Sequence, residues 1–130
     1  MTRLFLLVLL LASAPARADI TPGNWEISAT TVIEGMGQPT SLSQTRCLTE
    51  ADARDPSRLF AGTPGGRCDF TSRNDTGSVF TFEVTCGTNP PVVGEGSVRY
   101  DAANMEGDVD LTMDSLKTHS HITGRRLGPC

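Results

Sequence analysis

The sequence predicts an all-β domain with one short helix near residues 49–60. Its about seven antiparallel strands run up and down in a sheet that curls on itself or forms a partial barrel. Three observations predict this fold. Apolar residues recur with period two along most of the chain. Turn sequences such as NDTG and DAAN separate the alternating segments. No βαβ alternation and no fixed-period repeat appears.

The first 18 residues, MTRLFLLVLLLASAPARA, stand apart from this pattern. Arg3 supplies a positive start, Leu4 to Ala12 an unbroken apolar run, and Ala16 and Ala18 the small residues a signal peptidase needs. The run is too short to span a bilayer as a helix. Residues 1–18 are therefore expected to be a signal peptide cleaved after Ala18, leaving residues 19–130 as a single domain without a transmembrane anchor.

In NWEISATTVI, Trp25, Ile27, Ala29, Thr31 and Ile33 share one face, so this segment is a half-buried strand. GMGQPT follows as a turn, and SLSQTRCL as a second strand. TEADARDPSRLF breaks the alternation: Thr49 and Asp52 have capping-box spacing, and Glu50 and Asp52 suit a helix N-terminus. Alternation resumes in RCDFTSR, which puts Cys68, Phe70 and Ser72 on one face. SVFTFEVTC gathers Phe80, Phe82, Val84 and Cys86, and GEGSVRY adds Val98 and Tyr100. MEGDVDLTMD turns Met105, Gly107, Val109, Leu111 and Met113 inward, and LKTHSHITG does the same with Leu116, Thr118, Ser120 and Ile122.

An even set of four cysteines in a small exported domain reads as two disulfides. Cys68 and Cys86 sit at the open ends of the hairpin around NDTG, which favours Cys68–Cys86 with Cys47–Cys130. Cys47–Cys68 with Cys86–Cys130 is the rival.

Without Arg3 and Arg17 the chain carries nine Lys and Arg against fifteen Asp and Glu, a net charge of −6. Such an acidic domain, with no basic cluster, is unsuited to nucleic acid and to anionic membrane surfaces. Catalysis finds no support either. There is no Gly-x-Ser-x-Gly elbow and no phosphate-loop glycine pattern, and the cysteines are expected to be oxidised. The chain is read as a non-enzyme without a cofactor.

Two constellations remain. His119 and His121 share a strand face, and a two-residue loop at Asp114-Ser115 sets them opposite Asp110 and Asp108. Such a set could hold Zn²⁺ or Cu²⁺ weakly, or form solvent-facing cross-strand pairs. The second is the inner face of the sheet. There Trp25, Phe70, Phe80, Phe82, Tyr100, Met105 and Met113 would line a groove for an apolar small molecule, lipid or peptide. A non-catalytic binding module is the leading expectation, a metal-binding protein the first alternative, and a purely structural or interaction protein the second.

The order of GNWEIS, QTRCLTEADARDP, FTFEVTC, GEGSVRYDAANMEGDVDLTM and the terminal GRRLGPC resembles the domain of unknown function 3617 family. These are small exported proteins of Gram-negative bacteria. The resemblance implies a periplasmic, β-rich domain with no assigned activity. Of the methionine-rich stretch found in family members, this chain keeps only Met105 and Met113.

Overall fold

The computed structural model describes residues 20–55, 58, 68–87 and 89–130. The expected signal peptide and cleavage point, Pro56 and the AGTPGG segment lie outside the described residues. Seven strands and one helix follow in order: β1 Gly23–Ile33, β2 Thr40–Leu48, α1 Glu50–Arg54, β3 Cys68–Asp75, β4 Val79–Cys86, β5 Val92–Tyr100, β6 Asn104–Met113 and β7 Leu116–Gly128. They form one antiparallel sheet in the order β2-β1-β7-β6-β5-β4-β3, unclosed between β2 and β3.

Local chemistry sets each connection. Asp75 caps the β3–β4 turn, its Oδ1 accepting from Gly77 N–H at 2.9 Å. Asp101 Oδ1 accepts from the N–H groups of Ala103 and Asn104 at 2.9 and 2.8 Å, which closes the β5–β6 turn. Asp114, at φ 53°, and Ser115 make the two-residue loop between β6 and β7, so Met113 faces Leu116. At α1 the Thr49 hydroxyl accepts from Asp52 N–H at 3.2 Å, and the Asp52 carboxylate accepts from Thr49 N–H at 3.0 Å. That is the capping box. The Thr49 N–H bond holds the buried Asp52 carboxyl below the usual carboxylate range, and Arg58 Nε reaches it at 3.2 Å.

Trp25 on β1 and Phe80 on β4 belong to one buried cluster with Ile20, Leu48, Phe82, Val98, Tyr100 and Met105. In a flat sheet four strand spacings would hold β1 and β4 about 19 Å apart. The shared cluster therefore requires a curled sheet with these residues on its inner face. Glycines permit the close packing. A methyl group on Gly96 would stand 2.5 Å from Phe82 Cζ. One on Gly107 would collide with the Ser97 carbonyl and come within 2.8 Å of Val98 Cα, which is backbone and cannot yield. Phe70, Phe80 and Phe82 pack together beside these glycines, with ring centroids 5.4 to 6.3 Å apart.

Two details differ from the alternation read in the sequence. A bulge between Phe70 and Ser72 sets Ser72 opposite Glu83, on the outer face, and brings Arg73 and Asp75 opposite Phe82 and Phe80. Strand β7 also continues to Gly128, with a second bulge where Asn24 and Trp25 of β1 meet its end. There Arg125 Nε meets Glu26 on the outer face at 3.1 Å, while Arg126 Nε donates to the Pro22 carbonyl at 3.0 Å.

The disulfides are Cys47–Cys130 and Cys68–Cys86, the favoured pairing. Cys68 and Cys86 are direct cross-strand partners. Asn24 of β1 lies between Cys47 on β2 and Gly128 on β7, so the Cys47–Cys130 bridge straps the chain end across β1 to the edge strand.

Candidate functional site

The two-residue β6–β7 loop fixes the register of both strands, and the register decides what the histidines meet. His119 stands opposite Asp110 and His121 opposite Asp108, as the loop length predicts. His119 Nδ1 lies 2.7 Å from Asp110 Oδ1, and its Nε2 lies 3.3 Å from Asp108. His121 Nδ1 lies 2.9 Å from Asp108 Oδ1, and its Nε2 lies 3.3 Å from Glu106. The five groups make a ladder on the solvent side of the sheet, each imidazole bridging two carboxylates. Both ring nitrogens of each histidine are thereby engaged. Among the described residues no group of three or more His, Cys, Asp or Glu side chains is placed to hold a metal ion.

Two members of the ladder, His119 and Asp108, are shifted from their ordinary values. The hydrogen bond to Asp110 raises the His119 pKa above its ordinary value of about 6.5, with Asp108 adding to the effect. The bond from His121 lowers the Asp108 carboxyl. A raised folded-state histidine pKa contributes stability that is full below the unfolded value and lost as pH rises through the folded one. The depressed Asp108 contributes above the ordinary carboxylate range and loses its contribution as pH falls. The His119 and Asp108 contributions therefore coincide in mildly acidic solution, between the two. An NMR titration of the imidazole Cε1 protons is expected to put His119 above pH 6.5 and to find it lower in Asp110→Asn. A His119 titrating at or below 6.5 in the native chain counts against this account.

The predicted apolar site divides. Trp25, Phe80, Phe82, Tyr100 and Met105 are packed into the core, and Phe70 is half-buried against it. Met113 lies elsewhere, exposed at the far end of the inner face beside Leu116. The aromatic residues thus form a sealed half of the inner face. A cleft of about 430 Å³ opens beside that half, between α1 and the β3–β4 turn, lined by Ile20, Pro22, Ala53, Asp75 and Tyr100 among others. The Tyr100 hydroxyl donates to Asp75 there, which ties the cleft wall to the turn.

Toward the β6–β7 loop the same face is open. Leu42, Leu116 and Met113 are 67%, 41% and 36% exposed. Strand register aligns them with half-buried Ala29, Ile33, Leu111 and Ile122. Between them Thr31, Ser120 and Thr118 interpose polarity; the Thr31 and Ser120 hydroxyls bond each other at 2.7 Å, and Thr118 stands between Ile33 and Leu111. The sequence reading missed this strip because it weighted aromatic residues, which are the first to be buried. The usable signal was the run Val109, Leu111 and Met113 at inward positions of β6, with Leu116 and Ile122 on β7.

The family model described as Protein of unknown function (DUF3617) matches residues 20–130. The chain belongs to that family. No curated protein and no solved structure matches it significantly. The DUF3617 match begins at buried Ile20 and ends at Cys130, so it takes in every strand, both disulfides, the histidine ladder and the open strip. Among the described residues no helix is long and apolar enough to cross a membrane.

Proposed function

We propose that the protein is a non-catalytic binding module of the periplasm that holds an apolar ligand, of acyl-chain or hydrophobic-peptide type, against the open strip of its inner face. One observation carries this reading. A largely aliphatic strip, interrupted by Thr31, Thr118 and Ser120, crosses β2, β1, β7 and β6 with Leu42, Met113 and Leu116 exposed, while the adjoining half of the same face is sealed. Leaving large aliphatic side chains in water costs about 25 cal/mol per Å² that burial would recover, and an apolar ligand supplies that burial. Two disulfides and the apolar leader support an oxidising, extracytoplasmic setting. The metal reading draws less support, because the imidazoles already bridge carboxylates.

Titration of the oxidised protein with the uncharged probe N-phenyl-1-naphthylamine tests the proposal. Saturable binding is expected, weakened about tenfold in Met113→Ser/Leu116→Ser, a pair exposed enough to leave the fold intact. Absence of saturable binding by the folded chain, or affinity unmoved in the double variant, sinks it.

A further inference from the structure

An unclosed sheet has two edges, and here they are built differently. Strand β3 bears Asp69, Arg73 and Asp75 and is kinked by its bulge between Phe70 and Ser72. Charges and bulges are the devices by which proteins keep edge strands from pairing with other chains. Strand β2 has neither along most of its length. It pairs with β1 in unbroken register over Thr31↔Thr40 to Gly23↔Leu48, and residues 40–45 are exposed and free of charge and proline. Among the described residues no strand pairs with its outer edge.

We propose that β2 is where a second copy of this chain adds, by antiparallel β2–β2 pairing about a two-fold axis at Ser43. A two-fold axis requires a strand that suits its own reverse. In this register Ser43 faces Ser43, and Ser41 of each copy faces Thr45 of the other, so the outer face meets hydroxyl to hydroxyl. β2 already pairs with β1 in that way, through Ser28–Ser43 and Thr30–Ser41 contacts of 3.0 Å. The one charged residue of β2, Arg46, falls opposite Thr40, so no like charges oppose each other. The acidic rows Glu83–Glu95–Asp110 lie on β4, β5 and β6, at least three strands from this edge, so two copies meeting at β2 keep their acidic surfaces apart. The pairing sets both inner faces on the same side of one continuous sheet, and it does not depend on the ligand proposed above.

Sedimentation velocity of the oxidised, processed protein over a range of concentrations tests the pairing. A monomer–dimer equilibrium is expected. Ser43→Lys places two ammonium groups opposite each other and raises the dimer dissociation constant about tenfold or more at low salt, with partial recovery near 0.5 M salt. Ser41→Lys/Thr45→Lys, at two exposed positions that face each other across the axis, gives the same direction and serves if Ser43→Lys disturbs the fold. Asn74→Lys on β3 leaves the equilibrium unchanged. A chain that stays monomeric at every concentration overturns the proposal, whether or not β2 then accepts an unrelated extended peptide. So does a dimer indifferent to both β2 variants, or one broken by Asn74→Lys.

Discussion

Serine at both Cys47 and Cys130 is expected to lower the stability of the domain by about 4.5 kcal/mol, the largest loss of any change at the periphery. The bridge joins residues 83 apart in sequence, and on the loop-entropy account such a closure restricts the unfolded chain by about that amount. The Cys68–Cys86 bridge joins residues 18 apart, for which the same account gives about 3 kcal/mol. Native context widens the gap. Cys68 and Cys86 close a hairpin that ladder bonds and the Asp75 turn already hold. Cys130 straps the end of β7 to β2, a strand that among the described residues has a neighbouring strand on one side only. Against a typical domain stability of about 5 to 15 kcal/mol, loss of the strap leaves a marginal fold. Urea unfolding of the two double-serine variants checks the order, and amide exchange at Thr40–Arg46 is expected to quicken most in Cys47→Ser/Cys130→Ser. Equal midpoints for that variant and the native chain, or a greater loss from Cys68→Ser/Cys86→Ser, would contradict the account.

Where a single strand or hairpin carried the information, the sequence was enough. Alternation along Trp25 to Ile33 identified β1, and Thr49 with Asp52 marked the start of α1. The two-residue loop at Asp114-Ser115 fixed which carboxylate each histidine meets, because period-two geometry leaves one register once the loop length is known. The bulge in β3 was not legible. RCDFTSR alternates as well with Ser72 inward as outward, and only pairing with β4 decides it. The division of the inner face was hidden for a different reason. Apolar residues at like inward positions, such as Val98 and Leu111, differ in burial because Val98 packs into the cluster that the curl gathers, while Leu111 covers Gly94 and stays half-buried. Curl belongs to the assembled sheet and leaves no mark on any one strand's pattern.

Trp25→Ala is expected to destabilise the domain by about 3 to 5 kcal/mol, because it empties the centre of the sealed half. Trp25 is fully buried, its indole N–H donates to the Thr21 carbonyl at 3.0 Å, and it packs in one cluster with Ile20, Leu48 and residues of β4, β5 and β6. The indole therefore fastens the segment before β1 and joins the two sides of the curl. Trp25→Phe keeps most of the volume but gives up the hydrogen bond, and a loss of about 1 to 2 kcal/mol follows. Thermal unfolding followed by circular dichroism suits both variants, since the chain has a single tryptophan and fluorescence would vanish with it. A Trp25→Ala protein as stable as the native one would mean that the cluster does not hold the curl together. The phenylalanine variant also separates the two halves of the inner face. If apolar ligands sit on the strip around Leu111, Met113 and Leu116, Trp25→Phe binds N-phenyl-1-naphthylamine as the native chain does. If that folded variant loses the probe while Met113→Ser/Leu116→Ser keeps it, the ligand enters the aromatic half, and the open strip is only the sheet's solvent-facing margin.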